Sequence, residues 1–340
     1  MTSRSTTHLG LFFLGGFGVM AMALAYWTFI ARDELLARAD NPRALIAFNR
    51  IRRGRIQDRN GLTLAETVGQ PGDFVRQYDP AAAIVVGYAS FTYGYSGIEA
   101  AANGALTGAT DEDNLTRWWR YSVLDEPQIG RDVTLTLDRD LQRAAYAALD
   151  GRAGAVVVLD TASGEILVMA SAPSFDPAGL DAQFNSFTAD SNGPLINRAA
   201  LGLYPAGNLL GLFPGTLDLS QTPILPIAVA PAQADRITPV HLALLIGAVA
   251  NDGVMPLPRL TIDPAPSAGH SVAIIPPADA DRIRPLFVSG YNATTPAGIQ
   301  SETLGWYAGL RPEARQVIVV VVERSDAAQA AAVARSVWGP

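Results

Sequence analysis

The chain has 340 residues, 49% of them hydrophobic and 17% charged, with a net charge of −7; this balance fits a folded protein and excludes a cationic surface for nucleic acid. It contains no cysteine, which removes disulfides, thiol nucleophiles and thiolate metal sites. All 25 basic residues are arginine, and the absence of lysine excludes Schiff-base chemistry, a phosphate-loop lysine and a serine activated by a neutral lysine.

After a tail of residues 1–8, the stretch Leu9 to Ile30 carries no charged side chain, and at about 1.5 Å per residue it is long enough to cross a bilayer core. It is longer than a signal-peptide core and lacks an Ala-x-Ala end, so a retained anchor over 9–30 is expected. Arg4 precedes it and Arg32, Arg38 and Arg43 follow, a bias that does not by itself place the N-terminus in the cytoplasm. Next, Asn60-Gly61 supplies a tight turn between an Arg-rich strand and the apolar strand Leu62-Thr-Leu-Ala65. The arginines at 50–59 read as a solvated strand with local carboxylate partners, the alternative being a patch for an acidic partner. Asp111-Glu-Asp113 lacks the donor repeat of a calcium loop, and Trp118-Trp119 is expected in core or interdomain packing.

Val133-Thr-Leu-Thr-Leu137 alternates like a strand, and Asp138 is placed to cap a helix. That helix is expected to show Leu141, Ala144, Ala145, Ala148 and Leu149 on one face and to end at Gly151. Gly154–Asp160 and Glu165–Ser171 are apolar, β-branched runs around Thr161-Ala-Ser-Gly164, the pattern of a buried hairpin. Thr238-Pro239 opens an apolar helix that Asn251-Asp-Gly253 stops. Thr303–Leu310 and Gln316–Glu323 read as paired strands around Arg311-Pro-Glu, and Ala327 to Trp338 as a closing helix.

This ordered series resembles the class B penicillin-binding proteins, the D,D-transpeptidases that cross-link peptidoglycan. The likeness is carried by Arg-Gly-Arg-Ile-Gln-Asp-Arg-Asn-Gly61, Arg76-Gln-Tyr-Asp-Pro80, Gly87-Tyr88, Gly97-Ile-Glu99 and Leu106-Thr-Gly108. It continues through Gly154-Ala-Val-Val-Val-Leu-Asp160, Ser163-Gly-Glu to Phe175-Asp-Pro177, and Asn197-Arg-Ala. The resemblance implies an α+β fold: a membrane anchor, a pedestal (dimerisation-type) domain over 31–130, and a truncated transpeptidase-like, serine β-lactamase-like domain over 131–340. That last domain is expected to hold a mainly antiparallel sheet flanked by helices.

In that family Tyr-Pro-Pro-Gly leads into Ser-x-x-Lys, the nucleophile and its lysine partner. Here Tyr204-Pro-Ala-Gly runs into Asn208-Leu-Leu-Gly211, so the resemblance puts Asn208 at the nucleophile position and Gly211 at the lysine position. Leu212 to Asp235 is punctuated by Pro214, Pro223, Pro226 and Pro231, leaving no room for a long helix. Neither Ser186 nor Ser220 lies in the family's Ser-x-Asn motif, and Thr294-Thr-Pro-Ala-Gly298 has no lysine where Lys-Thr-Gly is expected.

Other chemistry finds little support. A Ser-His-Asp triad would need His241 or His270; the latter sits between Ser267 and Ser271, and no Gly-x-Ser-x-Gly elbow occurs. His241 is expected to be a satisfied packing residue. Three scattered histidines predict no metal site, and no cofactor is expected. A pair of carboxylates for glycan hydrolysis stays open, since their separation is a tertiary property.

The expectation is a catalytically inactive homologue, single-pass in the cytoplasmic membrane with its bulk extracytoplasmic. It would serve as a scaffold or binding subunit beside cell-wall or division proteins and peptidoglycan. The alternatives are a non-covalent binder of peptidoglycan stems or β-lactams, and an enzyme with recruited carboxylates.

Overall fold

The computed structural model describes residues 3–27, 42–109, 113, 116, 119–124, 126–213, 225–233, 235–263, 271–297 and 302–339. Two compact units emerge, Met1–Arg50 and Ile51–Pro340.

In the first unit, helix α1 (Ser3–Ala25) starts earlier than the expected anchor. Its window His8–Ala25 has a mean hydropathy of 1.8 and is long and apolar enough to cross a membrane. Positions 28–30 of the expected anchor lie outside the described residues. A short helix, α2 (Pro42–Asn49), closes the unit.

The second unit opens with a mixed sheet. Strands β1 (Ile56–Gln57), β2 (Thr63–Val68) and β3 (Val75–Tyr78) form antiparallel pairs. The β1–β2 connection is the expected turn: Gly61 has φ +79°, and the Asp58 carboxylate accepts from the Asn60 and Leu62 amides at 2.8 and 2.7 Å. Strand β4 (Val133–Leu135) pairs parallel with β1. Helix α3 (Arg139–Leu149) follows it, then β5 (Gly154–Asp160), β6 (Ile166–Ala172), helix α4 (Leu180–Ala189) and helix α5 (Pro239–Ala250). Strand β7 (Thr261–Asp263) returns to the first sheet, whose order is β7-β4-β1-β2-β3, so this sheet draws strands from both sides of residue 130.

Helix α6 (Pro277–Val288), strands β8 (Tyr291–Pro296), β9 (Thr303–Arg311) and β10 (Gln316–Glu323) and helix α7 (Ala327–Trp338) complete the chain. The second sheet is antiparallel throughout, in the order β8-β9-β10-β5-β6. Both of its faces are covered, which is why its central strands read as unbroken aliphatic runs. Val157, Leu159, Val319 and Val321 join one core with α5, while Val156, Val158, Ile318 and Val320 join the other with Ala145 and Leu149 of α3 and Val333 and Val337 of α7. The Thr238 hydroxyl caps α5 by accepting from the His241 amide at 3.2 Å, with Pro239 in the first turn.

Three expectations need correction. Helix α3 ends at Leu149 with Asp150 in the left-handed region (φ 49°), one residue before Gly151. Its buried positions are Gln142, Ala145 and Leu149, whereas Ala144 is exposed. Gln142 is inside because β6 is an edge strand whose Met169 peptide needs partners: its amide donates to Met169 O at 3.2 Å and accepts from Met169 N at 2.9 Å. Trp119 is 53% exposed and so is no core residue, while Trp118 and Asp111 lie outside the described residues.

Arg53, Arg55 and Arg59 do find carboxylates, at long range and partly in the interior. Arg55 pairs with Asp132 and Arg59 with Glu165, at 2.9 and 3.2 Å. Glu99, fully buried, is gripped by Arg53 at 2.6 Å and by Arg76 at 2.7 Å, and both arginine side chains are themselves nearly buried. Asn103 takes a further Arg53 N–H at 2.8 Å, and Gly54 O takes one from Arg76 at 2.7 Å. Burial together with the Glu99 charge pushes the nearby Tyr78 phenol above the usual tyrosine range.

Candidate functional site

The segment after Asn197-Arg198 builds the region that holds Asn208 and Gly211. Tyr204–Pro205 pairs antiparallel with Arg236–Ile237, and a 3-10 helix follows at Gly207–Leu212. Gly207 has φ +55°, and a Cβ there would come within 2.6 Å of Thr295 Cγ2, so a glycine is required twice over. Residues i and i+3 eclipse in a 3-10 helix, which sets Asn208 and Gly211 one above the other. Both are exposed, while Leu209 between them is buried. Nothing lies within 4 Å of where a Gly211 Cβ would stand, and the Asn208 side chain makes no hydrogen bond among the described residues.

Strand β8 forms the facing wall. Its alternation turns Thr295 inward, where the hydroxyl donates to Pro205 O at 3.2 Å; Trp306 Nε1 of β9 donates to the same oxygen at 3.2 Å. Thr294 points the other way and accepts from the Ala327 amide at 2.9 Å, at the start of α7. Pro296 ends the edge strand, a position where a missing amide costs no ladder bond. Gly298 lies outside the described residues. The threonine on the inner face is thus committed to the Tyr204–Gly207 segment.

Behind this wall, Tyr204 OH donates to Glu323 Oε1 at 2.7 Å and Arg198 Nε donates to the same oxygen at 2.9 Å. Arg198 also donates to the carbonyls of Gly193 and Asn192. The Tyr204 ring meets Trp306 edge to face at 6.0 Å. Burial first and the Glu323 charge second push the Tyr204 phenol well above its ordinary range, so it stays a neutral donor. Sequence inspection marked Arg198 and Tyr204 but not Glu323, whose signal was a lone carboxylate ending the aliphatic run of β10.

His241 is buried, with Nδ1 2.8 Å from Thr238 Oγ1. Burial lowers its pKa to about 4, leaving it a neutral packing residue at pH 7. Ser220, Ser267 and His270 lie outside the described residues, and Ser186 is exposed on α4. Proline-rich residues 225–233 hold no helix, while Pro214 and Pro223 lie outside the described residues. Among the described residues no group of three or more His, Asp or Glu side chains could hold a metal. Among the described residues, cavities of about 470 Å³ beside Ser163, Asn251 and Met255 and of about 210 Å³ beside Tyr307, Arg311 and Trp338 are lined by neither Asn208 nor Gly211. Among the described residues, the exposed Asn208 carboxamide and the open position at Gly211 share one side of this 3-10 turn, next to the wall that carries Thr295.

The family model for the penicillin binding protein A dimerisation domain matches residues 53–133. The peptidoglycan D,D-transpeptidase PbpA of Mycolicibacterium smegmatis is 34% identical over 195 residues, 52% of this chain and 39% of that protein. MrdA of Acinetobacter baumannii, another peptidoglycan D,D-transpeptidase, is 35% identical over 124 residues, 35% of this chain and 17% of its own. The chain therefore spans well under half the length of these curated relatives. Among solved structures, the imipenem acyl-enzyme of penicillin-binding protein A from M. tuberculosis matches with a TM-score of 0.72 at 20% identity, over 86% of this chain and 99% of that one. The D,D-transpeptidase domain of a peptidoglycan glycosyltransferase from Eggerthella lenta matches with a TM-score of 0.68 at 22% identity, over 85% and 97%. These structures share the fold.

Proposed function

We propose that this chain, which belongs to the class B penicillin-binding protein family, is a catalytically inactive relative that serves as a scaffold or binding subunit in peptidoglycan synthesis or cell division. One observation carries the proposal. The resemblance puts Asn208 and Gly211 at the positions of the family's nucleophile and lysine; the two are exposed on one 3-10 turn, in a chain with no lysine anywhere. A carboxamide forms no acyl-enzyme, and an arginine cannot replace the neutral lysine as base. Where triad residues have been removed from a hydrolase that uses them as a unit, the loss is about a millionfold. The other two motif positions point the same way, with no Ser-x-Asn and with Thr294-Thr-Pro in place of Lys-Thr-Gly.

In this proposal α1 is a single span and residues 51–340 lie outside the cytoplasm, with a pedestal over 31–130 and the transpeptidase-like remainder over 131–340. The apolar composition of α1 supports the span, and the family supports the orientation. Fluorescent penicillin tests the inactive assignment. No heat-stable band is expected on the full chain, and a covalent band removed by prior ampicillin would refute it. Saturable retention of muropeptides without turnover would instead favour a relic cleft that still binds.

A further inference from the structure

We infer that α2 is a second membrane contact, a short helix lying on the lipid surface beside the anchor. Two large apolar side chains on α2, Leu45 and Ile46, are 43% and 56% exposed. An eight-residue helix gains little stability from propensity alone and ordinarily relies on a surface that covers its apolar side chains.

The surrounding charges indicate which surface. Between residues 41 and 57 there are five arginines, at 43, 50, 52, 53 and 55, and no acidic residue, in a chain whose net charge is −7. Arg53 and Arg55 are taken up by Glu99 and Asp132, but Arg52 is exposed and makes no ion pair among the described residues. Basic residues flanking a short apolar face suit an anionic headgroup layer, the arrangement of an interfacial helix.

Position agrees. Tyr26 and Trp27 stack edge to face at the end of α1, both about half exposed, as amphipathic rings do at a membrane boundary. Covalent geometry limits the chain from Trp27 to Leu45 to about 60 Å even when fully extended. The tether holds α2 at high effective concentration next to the bilayer, so a face too small to bind lipid on its own becomes sufficient. The inference rests on α1 being a span.

The absence of native cysteine makes the test direct. Single variants Leu45→Cys, Ile46→Cys, Val75→Cys and Leu14→Cys of the full chain would carry an environment-sensitive fluorophore in phosphatidylcholine vesicles with and without phosphatidylglycerol. Labels at 45 and 46 are expected to shift to the blue and to be quenched several-fold more by doxyl-lipid than the label at the exposed Val75, more so with phosphatidylglycerol. Quenching at 45 and 46 by aqueous iodide equal to that at 75 would overturn the inference. Protection from both quenchers would overturn it too, because protein would then cover the face. Lipid quenching at 14 without quenching at 45 and 46 defeats the inference but spares the anchor; no lipid quenching at 14 defeats the anchor itself.

Discussion

Two polar regions of the second unit contrast sharply. Around Glu99 a carboxylate with no exposed surface holds two nearly buried arginines, and Asn103, Thr67 and backbone carbonyls accept further N–H groups from them. Around Asn208 the polar side chain is exposed and its companion at i+3 is a glycine with open space above it. Removing one member of the first cluster strands charge in a low-dielectric interior, whereas removing Asn208 strands nothing. The polar groups around Glu99 are paired inside the fold, whereas Asn208 is exposed beside an open glycine position, the contrast that the proposed inactivity leads one to expect.

This contrast can be tested in order of expected effect. Glu99→Ala leaves Arg53 and Arg76 buried without their counter-charge, and should destabilise the detergent-solubilised chain by about 3–5 kcal/mol in denaturant titration. His241 offers a pH test. Its folded pKa is depressed to about 4, below the ordinary 6.5, so the unfolded chain takes up the proton first. Stability should therefore be fully present above about pH 6.5 and fall as pH drops toward 4, by no more than about 3.4 kcal/mol. His241→Leu should flatten that part of the pH profile of thermal unfolding. Gly207→Ala forces a Cβ onto Thr295 Cγ2 in a left-handed backbone and should cost on the order of 1–3 kcal/mol. Smallest of all, Asn208→Ser combined with Gly211→Lys should leave stability within about 0.5 kcal/mol, since both positions are exposed. That pair should also fail to restore transpeptidation, because no Ser-x-Asn and no Lys-Thr-Gly accompany it; recovered activity would show a cleft more intact than the sequence implies.

Much of the fold was legible because local signals agreed with each other. Thr238-Pro239 and Asn251-Asp-Gly253 bracket α5, and the aliphatic runs of β5, β6 and β10 mark a sheet covered on both faces. Gln142 was not legible. Its burial follows from the free edge of β6, a fact of strand order rather than of the α3 pattern. Nor were the arginine partners, since Arg53 and Glu99 lie 46 positions apart and only the folded sheet brings them together. At the site, sequence supplied Asn208 and Gly211. The structure added that Thr295 and Trp306 both donate to Pro205 O, which ties the facing wall to the same segment.

Intact-mass analysis of the full chain after prolonged exposure to excess penicillin at neutral pH tests the central claim most directly. The account predicts an unchanged mass. A gain equal to one opened β-lactam, mapped by peptide digestion to a side chain of this protein, would contradict it.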